Sequence, residues 1–287
     1  NAISFSNPDL VIHLAAESHV DRSIENPKIF LESNIVGTFN LLESLRVHYE
    51  QLSLKRKTIF RFHHVSTDEV FGSLFEDGKF SESSPYAPNS PYSASKASSD
   101  HLVRAWQHTY KLPTVISNCS NNFGPWQFPE KLIPLVINKA INEESIPLYG
   151  DGLNIRDWLY VEDHVEGILL ASNKGDIGES YCIGGYGEKS NKEIVEFICK
   201  YLDEVLNKKI IHKNLIEYVK DRPGHDRRYA IDSSLIQQKL GWRPKESFDK
   251  RLRQTIQWYL SNQKWLNSVL AKSGYNSDRL GLKNKKW

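Results

Sequence analysis

The amino-acid sequence predicts an α/β fold: a doubly wound parallel sheet followed by a smaller α/β lobe. Residues 8–16 form a short apolar run typical of a buried parallel strand. Residues 58–62, rich in aromatic and β-branched side chains, and residues 112–118 predict two more strands. A helix beginning at Pro27 separates the first two strands, and a helix beginning at Pro91 separates the next two. Strands that alternate with helices in this way favour a parallel sheet.

Composition excludes several classes of protein. The chain has 287 residues, 39% of them hydrophobic, which is enough for a real core, and its net charge of +2 argues against binding to nucleic acid or a membrane surface. No apolar run reaches the roughly 18 residues of a membrane-spanning helix, and the N-terminus lacks a signal-peptide pattern. Cys119, Cys182 and Cys199 have no metal-binding spacing, so we expect free thiols, no metal site and a cytoplasmic location.

The first predicted strand ends in small residues. Ala15 and Ala16 would let a flat cofactor approach the backbone, although close packing alone would also explain them. The polar loop at 17–23 follows, and His19 within it is a possible base.

The segments between the strands have distinct patterns. From Pro27, apolar residues recur at intervals of three and four as far as Leu45, which predicts an amphipathic helix. The charged stretch 47–57 is predicted to be a connection with a solvated loop. Residues 72–91, rich in glycine, serine and proline, form a loop long enough to suggest a function. The amide-rich turn at 118–125 fits a ligand contact or a local turn preference.

The most informative stretch is the polar turn after the second predicted strand. Thr67, Asp68 and Glu69 stand there, and polar groups at the carboxyl end of a strand mark ligand sites in open α/β sheets. Tyr92 and Lys96 are four residues apart on the next helix and therefore share one helical face. A nearby cation favours the phenolate, so this pair can supply a base near neutral pH. The two features together predict a catalytic site.

From residue 129 the pattern changes and predicts a second lobe. A helix to Asn142 and a short strand at 146–149 begin it, and Ser190 with Glu193 forms a capping box before an amphipathic helix. Residues 221–229 contain three arginines and a histidine, which by themselves fit a solvated charge run. The predicted domains are a cofactor-binding domain at 1–128, a mainly substrate-binding lobe at 129–262 whose later segments are free to rejoin the first domain, and a basic tail at 263–287.

These motifs resemble the extended short-chain dehydrogenase/reductases, and within them the dTDP-glucose 4,6-dehydratases, over roughly residues 7–260. The similarity rests on the run at 15–21, on the carboxylate pair after Thr67, on the Tyr92–Lys96 pair and on the Arg-Pro-Gly-His run that begins at Arg222. In that family the carboxylate pair separates dehydratases from epimerases. The resemblance implies a Rossmann-like domain that binds NAD, dTDP-glucose as substrate, and a homodimer formed through helices near 27–48 and 91–110.

The resemblance also implies which residues act. The catalytic residues would be Thr67, Asp68, Glu69, Tyr92 and Lys96. NAD would contact Leu14, Ala15, Ala16, Ser18, Ser33, Tyr92, Lys96 and Asn122. The substrate would contact Ser18, Thr67, Asn121, Lys131, Leu132, Pro147, Tyr149, Arg156, Asn191, Arg222 and His225, with Arg222 near the diphosphate.

In the implied reaction, Tyr92, acidified by Lys96, takes the proton of the sugar's 4-hydroxyl while Thr67 hydrogen-bonds that oxygen. Glu69 then takes the proton of carbon 5, and Asp68 protonates the departing 6-hydroxyl. Neighbouring carboxylates suit these roles because each raises the pKa of the other, which keeps one acid and one base together.

Three alternatives stay open at this point. A nucleotide-sugar 4-epimerase would share the tyrosine, lysine and threonine, and a dehydratase for a CDP- or UDP-sugar would keep the carboxylates. The third is an inactive fragment, because no Gly-x-x-Gly-x-x-Gly or Gly-x-Gly-x-x-Gly motif and no methionine occurs in the chain. We therefore expect the first strand–helix units of the fold to precede residue 1, and the chain without them to bind NAD poorly and to be inactive.

Overall fold

The structure is a computed structural model that describes residues 2–206, 209–273 and 275. The strands are β1 (Leu10–His13), β2 (Arg61–Thr67), β3 (Thr114–Cys119), β4 (Asn121–Phe123), β5 (Ile146–Tyr149), β6 (Ile155–Tyr160), β7 (Ser180–Ile183), β8 (Glu188–Ser190) and β9 (Ile216–Val219). The α-helices are α1 (Ala2–Ser6), α2 (Val20–Glu25), α3 (Pro27–Phe30), α4 (Gly37–Gln51), α5 (Leu54–Lys57), α6 (Pro91–Tyr110), α7 (Leu132–Ile141), α8 (Val161–Lys174), α9 (Asn191–Leu206), α10 (Ser234–Leu240), α11 (Phe248–Ser261) and α12 (Gln263–Ser273). A π-helical segment, Leu31–Val36, joins α3 to α4, and 3-10 turns lie at Asp68–Phe71 and His212–Leu215.

The main sheet has the strand order β1-β2-β3-β7, and all three pairings are parallel. His63 and His64 are neighbours on β2, so their side chains point to opposite faces of the sheet. His63 contacts Ser172 of α8 at 2.7 Å, whereas His64 lies 3.3 Å from Asp100 of α6. Helices therefore cover both faces, and the predicted doubly wound α/β fold is confirmed.

The second lobe has its own core. Its strands form two small sheets, with orders β4-β6-β8 and β5-β9. Buried side chains of α7, α9 and α11 pack together with Leu266 of α12 in one cluster. The capping box at the start of α9 is present: Ser190 N–H donates to the Glu193 carboxylate at 2.8 Å, and Glu193 N–H donates to Ser190 Oγ at 3.2 Å. This confirms the helix start predicted from those two residues.

Later segments of the chain return to the first domain, since β7 completes the main sheet and α8 packs on β2 and β3. In the predicted tail, Gln263–Ser273 is a helix whose Leu266 is fully buried in the second lobe. The basic residues at 283–287 lie outside the described residues. None of the helices in the described ranges combines the length and the apolar character that spanning a membrane requires.

The prediction of a solvated connection at 47–57 is wrong. Helix α4 runs to Gln51 and α5 follows at once, with the Ser53 hydroxyl accepting a hydrogen bond from Arg56 N–H at 3.4 Å as its cap. The Arg56 guanidinium also pairs with Asp9 at 2.7 Å. A serine N-cap was the local signal that the charge pattern obscured. For the same reason β2 begins at Arg61, three residues later than predicted.

Candidate active site

Strand β2 delivers the polar turn to the carboxyl edge of the main sheet. Thr67 caps the 3-10 turn that follows: its hydroxyl accepts a hydrogen bond from Glu69 N–H at 3.3 Å and donates to the Asp68 carboxylate at 3.3 Å. Gly72 ends the turn with a φ of +91°, and a Cβ atom there would lie 2.5 Å from the carbonyl oxygen of Ala87. Only glycine fits that position. The three predicted catalytic residues of this turn are therefore held in one place.

Helix α6 brings Tyr92 and Lys96 to the same edge. Ser90 and Ser93 form a reciprocal cap at its N-terminus, with two hydrogen bonds of 3.0 Å. The Tyr92 ring packs edge-on against Phe30 at 6.3 Å, and Lys96 Nζ donates to the backbone carbonyl of strand β2. Burial raises the pKa of Tyr92 well above its ordinary value, and the charge of Glu69 adds to that shift. A cation is needed beside the phenol if it is to act as a base.

A loop beside this helix is fixed by one amide. Asn34 lies in the π-helical segment, and its Oδ1 accepts a hydrogen bond from Glu17 N–H at 2.9 Å. Its Nδ2 donates to the Glu17 carbonyl at 3.0 Å and to Ser95 Oγ at 2.9 Å. The loop that follows β1 is thereby tied directly to α6, one residue before Lys96.

Asp68 lies among acidic groups. It is 1% exposed, and burial raises its pKa well above the ordinary value. The charges of Glu69 and Asp157 raise the pKa of Asp68 further, against a smaller opposing effect of Arg156. These surroundings favour the protonated form, which is the form that a general acid needs.

Glu69 instead faces cations. Burial raises the pKa of Glu69 as well, but the charges of Arg222, Arg156 and Lys131 act in the opposite direction. The two neighbouring carboxylates therefore have different environments. Separation of this kind is what keeps one carboxyl group as an acid and leaves the other as a base.

The second lobe supplies a buried cationic wall. Arg156 is 4% exposed, donates to the carbonyl of Asp226 at 2.9 Å, and stacks 4.4 Å above the Tyr229 ring. Arg222 and His225 stand beside it on the neighbouring loop, and His225 contacts a carboxylate of that loop at 2.6 Å. A buried and a half-buried guanidinium group facing one space suit the diphosphate of a nucleotide.

Ion pairs and hydrogen bonds join the two lobes around this wall. Asp21, at the start of α2, accepts hydrogen bonds from Arg222 at 3.0 Å and from Tyr149 Oη at 2.7 Å. Lys131 Nζ donates to the Ser18 carbonyl at 2.8 Å. The loop after β1 is thus held against the second lobe by charged groups.

A cavity of about 190 Å³ opens between the two lobes. Every residue predicted to contact the substrate lines it except Thr67: Ser18, Asn121, Lys131, Leu132, Pro147, Tyr149, Arg156, Asn191, Arg222 and His225. Glu69 also lines the cavity, together with Asp21, Trp158 and His19. Burial lowers the pKa of His19 to about 4, so its ring is uncharged at neutral pH.

The residues predicted to contact the cofactor lie on an open surface beside Tyr92. Leu14 is 59% exposed, and Ala15, Ser18 and Ser33 are exposed as well. Ala16 and Asn122 are half-buried; Asn122 Nδ2 donates to the Ser120 carbonyl at 3.0 Å. Its Oδ1 is buried and has no partner within the described residues.

Comparison with known proteins identifies the family. A model of the GDP-mannose 4,6 dehydratase family matches residues 1–255. The chain is 55% identical over 279 residues to the dTDP-glucose 4,6-dehydratase of Neisseria meningitidis serogroup B. The aligned region covers 96% of this chain and 78% of that protein. The chain belongs to the dTDP-glucose 4,6-dehydratase family.

Solved structures agree with this assignment. The dTDP-glucose 4,6-dehydratase DesIV of Streptomyces venezuelae, with NAD and TYD bound, matches with a TM-score of 0.83 and 42% identity over 91% of this chain and 76% of that one. A UDP-glucose 4-epimerase of Thermotoga maritima, with UDP-glucose, matches with a TM-score of 0.79 but only 26% identity over 91% of this chain and 80% of that one. The fold is shared with epimerases, whereas the sequence lies nearer to the dehydratases.

The residues present fit the nicotinamide half of NAD. Small exposed side chains after a parallel strand leave room for a flat ring, and the unpaired Asn122 Oδ1 is an acceptor for a carboxamide N–H. Within the residues that the structure describes, no group of three His, Cys, Asp or Glu side chains is placed to hold a metal ion.

Several residues of this site were not assigned from the sequence. Asp21 lies in the polar loop at 17–23, but its partner Arg222 is 201 residues away, and no sequence pattern joins the two. Asp157 follows Arg156 directly on strand β6, and its sequence position gives no sign that it faces Asp68. Asp100 had a usable signal, since it continues the four-residue spacing of Tyr92 and Lys96.

Proposed function

We propose that the full-length protein that contains these residues converts dTDP-glucose to dTDP-4-keto-6-deoxyglucose and water, with NAD regenerated in every turnover. One observation carries the proposal. Tyr92, of the proposed redox pair with Lys96, is close enough to Asp68 and Glu69 for both carboxylates to shift its pKa, and Glu69 lines the cavity whose far wall carries Arg156 and Arg222. An epimerase needs the first pair but has no use for the second.

The first step removes the proton of the sugar's 4-hydroxyl. Tyr92 takes this proton, and the Thr67 hydroxyl hydrogen-bonds the same oxygen. Lys96 lowers the cost of the phenolate by placing a cation near it. NAD held beside Tyr92 would supply the hydride acceptor for the oxidation at carbon 4 and, once reduced, the hydride donor for carbon 6.

The second step eliminates water. The 4-ketone acidifies the hydrogen on carbon 5, and Glu69 takes it as a proton. Asp68 gives its proton to the 6-hydroxyl, which leaves as water. The acidic surroundings of Asp68 and the cationic surroundings of Glu69 support this division of roles.

The cycle must also restore its protons. Once Glu69 has returned its proton to carbon 5, Tyr92 holds one proton more than at the start and Asp68 one fewer. The Thr67 hydroxyl already donates to Asp68 at 3.3 Å, and it also interacts with the Tyr92 phenol. We propose that Thr67 passes the proton from the phenol to the carboxylate between turnovers.

The second lobe holds the nucleotide. Arg156, Arg222 and His225 stand where a diphosphate would replace their internal partners, and Lys131 adds a further cation. Ser18 and Asn121, on the sheet side of the cavity, are assigned to the sugar. The nucleoside is assigned to the remaining wall, formed by Leu132, Pro147, Tyr149 and Asn191.

A homodimer and a cytoplasmic location are part of the proposal. Ile29, Leu31, Val36, Phe39 and Tyr110 are between 42% and 50% exposed on the helical segments predicted to pair. Such a group of large apolar side chains is typical of an interface. Light scattering should give twice the chain mass, and Val36→Glu should halve it; a monomeric parent protein would overturn the dimer. The free thiols of all three cysteines agree with a reducing compartment.

The activity is tested by incubating the purified protein with dTDP-glucose and following the products by NMR spectroscopy. We expect the 4-keto-6-deoxy sugar without net NADH formation. Finding only the 4-epimer would overturn the proposal. Parallel reactions with UDP-glucose and CDP-glucose distinguish the nucleotide alternatives, because the wrong base should lower kcat/KM without changing the chemistry.

A further inference from the structure

Lys96 is a buried cation whose charge the proposed catalytic residues do not balance. The residue is 4% exposed, and its Nζ donates to the Val65 carbonyl at 2.9 Å. Burial lowers the pKa of Lys96, and an ammonium at such a site keeps its proton only where a negative charge compensates it.

Asp100 supplies that charge from the next turn of the same helix. Tyr92, Lys96 and Asp100 are spaced four residues apart, so all three side chains lie along one face of α6. Asp100 is fully buried. The His64 imidazole stands between the two charges, with Nε2 3.3 Å from Asp100 Oδ1 and 3.5 Å from Lys96 Nζ.

Three neutral donors hold the Asp100 carboxylate. Its Oδ2 accepts hydrogen bonds from Ser66 Oγ at 2.8 Å, from Tyr86 Oη at 2.8 Å and from Asn118 Nδ2 at 3.3 Å. Burial acts to raise the pKa of Asp100, but His64, together with Lys96 and Ser66, brings that pKa below its ordinary value. Asp100 is therefore ionised at neutral pH.

The other titratable groups near Lys96 are uncharged. His13 lies behind His64, with 3.1 Å between their Nδ1 atoms, and burial lowers the pKa of His13 to about 3. Cys119 faces Lys96 from strand β3, and burial raises the pKa of Cys119 to about 12. His64 is itself neutral, because burial and Lys96 lower its pKa.

We propose that Asp100, acting through His64, is a positioning residue for the redox step: it is the buried counter-charge that keeps Lys96 protonated one helical turn from Tyr92. The inference rests on the proposed roles of Tyr92 and Lys96. Without the negative charge, the pKa of Lys96 falls, the ammonium loses its proton, and the phenolate loses its support. The pKa of Tyr92 then rises, and the oxidation step requires a higher pH.

The test is the pH dependence of bound NADH formation in a single turnover with dTDP-glucose. Asp100→Asn preserves size and hydrogen-bonding oxygen but removes the charge. We expect its rate at neutral pH to fall about tenfold or more, with the acidic limb of the profile moved up by about one pH unit and the rate recovered at high pH. Ser172→Ala is the control: it removes the buried hydroxyl that contacts His63, the other histidine of β2, on the opposite face of the sheet, and it leaves the charge of Asp100 in place. Its profile should stay in place.

The outcomes separate this inference from the proposed function. A folded Asp100→Asn protein with the parent pH profile overturns the inference and leaves the proposed function intact. A parent protein that forms no bound NADH and no keto sugar refutes the proposed function itself. If Asp100→Asn does not fold, His64→Gln removes the imidazole that stands between Asp100 and Lys96. A smaller shift of the limb in the same direction supports the inference, and an unmoved limb overturns it.

Discussion

Replacing Asp68 with Asn separates the two halves of the proposed reaction. Burial, Glu69 and Asp157 raise the pKa of Asp68 well above its ordinary value, which favours the protonated form. Asp68→Asn then replaces a neutral carboxylic acid with an amide of the same shape. The amide oxygen can still accept the hydrogen bond that the Thr67 hydroxyl donates to Asp68 at 3.3 Å in the parent protein. We therefore expect the free energy of unfolding to change by less than about 1 kcal/mol and the oxidation rate to change only a few-fold.

Dehydration should suffer far more than oxidation. An amide cannot deliver a proton to the leaving hydroxyl, and loss of a general acid typically costs about 10²–10⁴ in rate, or about 3–5 kcal/mol in barrier height. With oxidation preserved and elimination slowed by that factor, NADH should accumulate on the enzyme to nearly one per active site.

Stopped-flow absorbance of NADH, combined with rapid-quench analysis of the sugar, measures both steps. Asp77→Asn, which alters an exposed carboxylate in the loop before α6, is the control and should behave as the parent protein does. If Asp68→Asn forms no bound NADH, the assignment of Asp68 to the later step is wrong. A strong loss of stability would show instead that Asp68 was ionised.

Four further changes test other parts of the site. Tyr92→Phe should abolish bound NADH formation in the same assay, because no other group then takes the first proton; appreciable NADH would exclude Tyr92 as the base. Thr67→Val removes the hydroxyl proposed to return the proton from Tyr92 to Asp68, so rapid-quench experiments should show a burst of about one product per site followed by a slow phase. Thr67→Ser keeps a hydroxyl and should cycle without a burst. Asp21→Asn should lower the free energy of unfolding in urea by about 1–3 kcal/mol, because the half-buried guanidinium of Arg222 loses its charged partner. The same change should make dTDP bind more tightly in calorimetric titration, because Arg222 no longer has to give up that partner. Burial lowers the pKa of His63 from 6.5 to about 3, so below pH 6.5 the unfolded chain binds a proton at this residue that the folded protein does not bind. Between about pH 7 and pH 4.5, this difference should lower the free energy of unfolding by about 2–3 kcal/mol in urea titrations. His63→Gln should remove this contribution to the pH dependence.

Local patterns in the sequence predicted most of the fold. The apolar runs gave the parallel strands, and the starts of α6 and α9 followed from a proline and a capping box. The errors lie where two local signals compete. At 47–57 the density of charge outweighed the Ser53 cap, and the π-helical segment at Leu31–Val36 has no sequence signature that a helical periodicity would reveal.

The residues of the candidate site also fall into those that the sequence predicted and those that it did not. Thr67, Asp68 and Glu69 are consecutive, and Tyr92 and Lys96 share one helical turn, so their proximity follows from local geometry. Contacts across the chain do not follow from any local rule. The different charge environments of Asp68 and Glu69 depend on arginines from the second lobe, and only the folded structure brings those charges to the turn.

The amide of Asn34 imitates one rung of a β-ladder. The Asn34 amide accepts a hydrogen bond from the Glu17 N–H and donates one to the Glu17 carbonyl, as the backbone of a neighbouring strand would, and it donates a third hydrogen bond to Ser95. The cofactor-side loop and the catalytic helix are therefore mechanically one piece, joined one residue from Lys96. A displacement that a ligand imposes on Ala15 or Ala16 therefore has a direct route to α6 through the Asn34 side chain. Asn34 thus supports the proposed redox pair through its hydrogen bond to Ser95, the residue before Lys96.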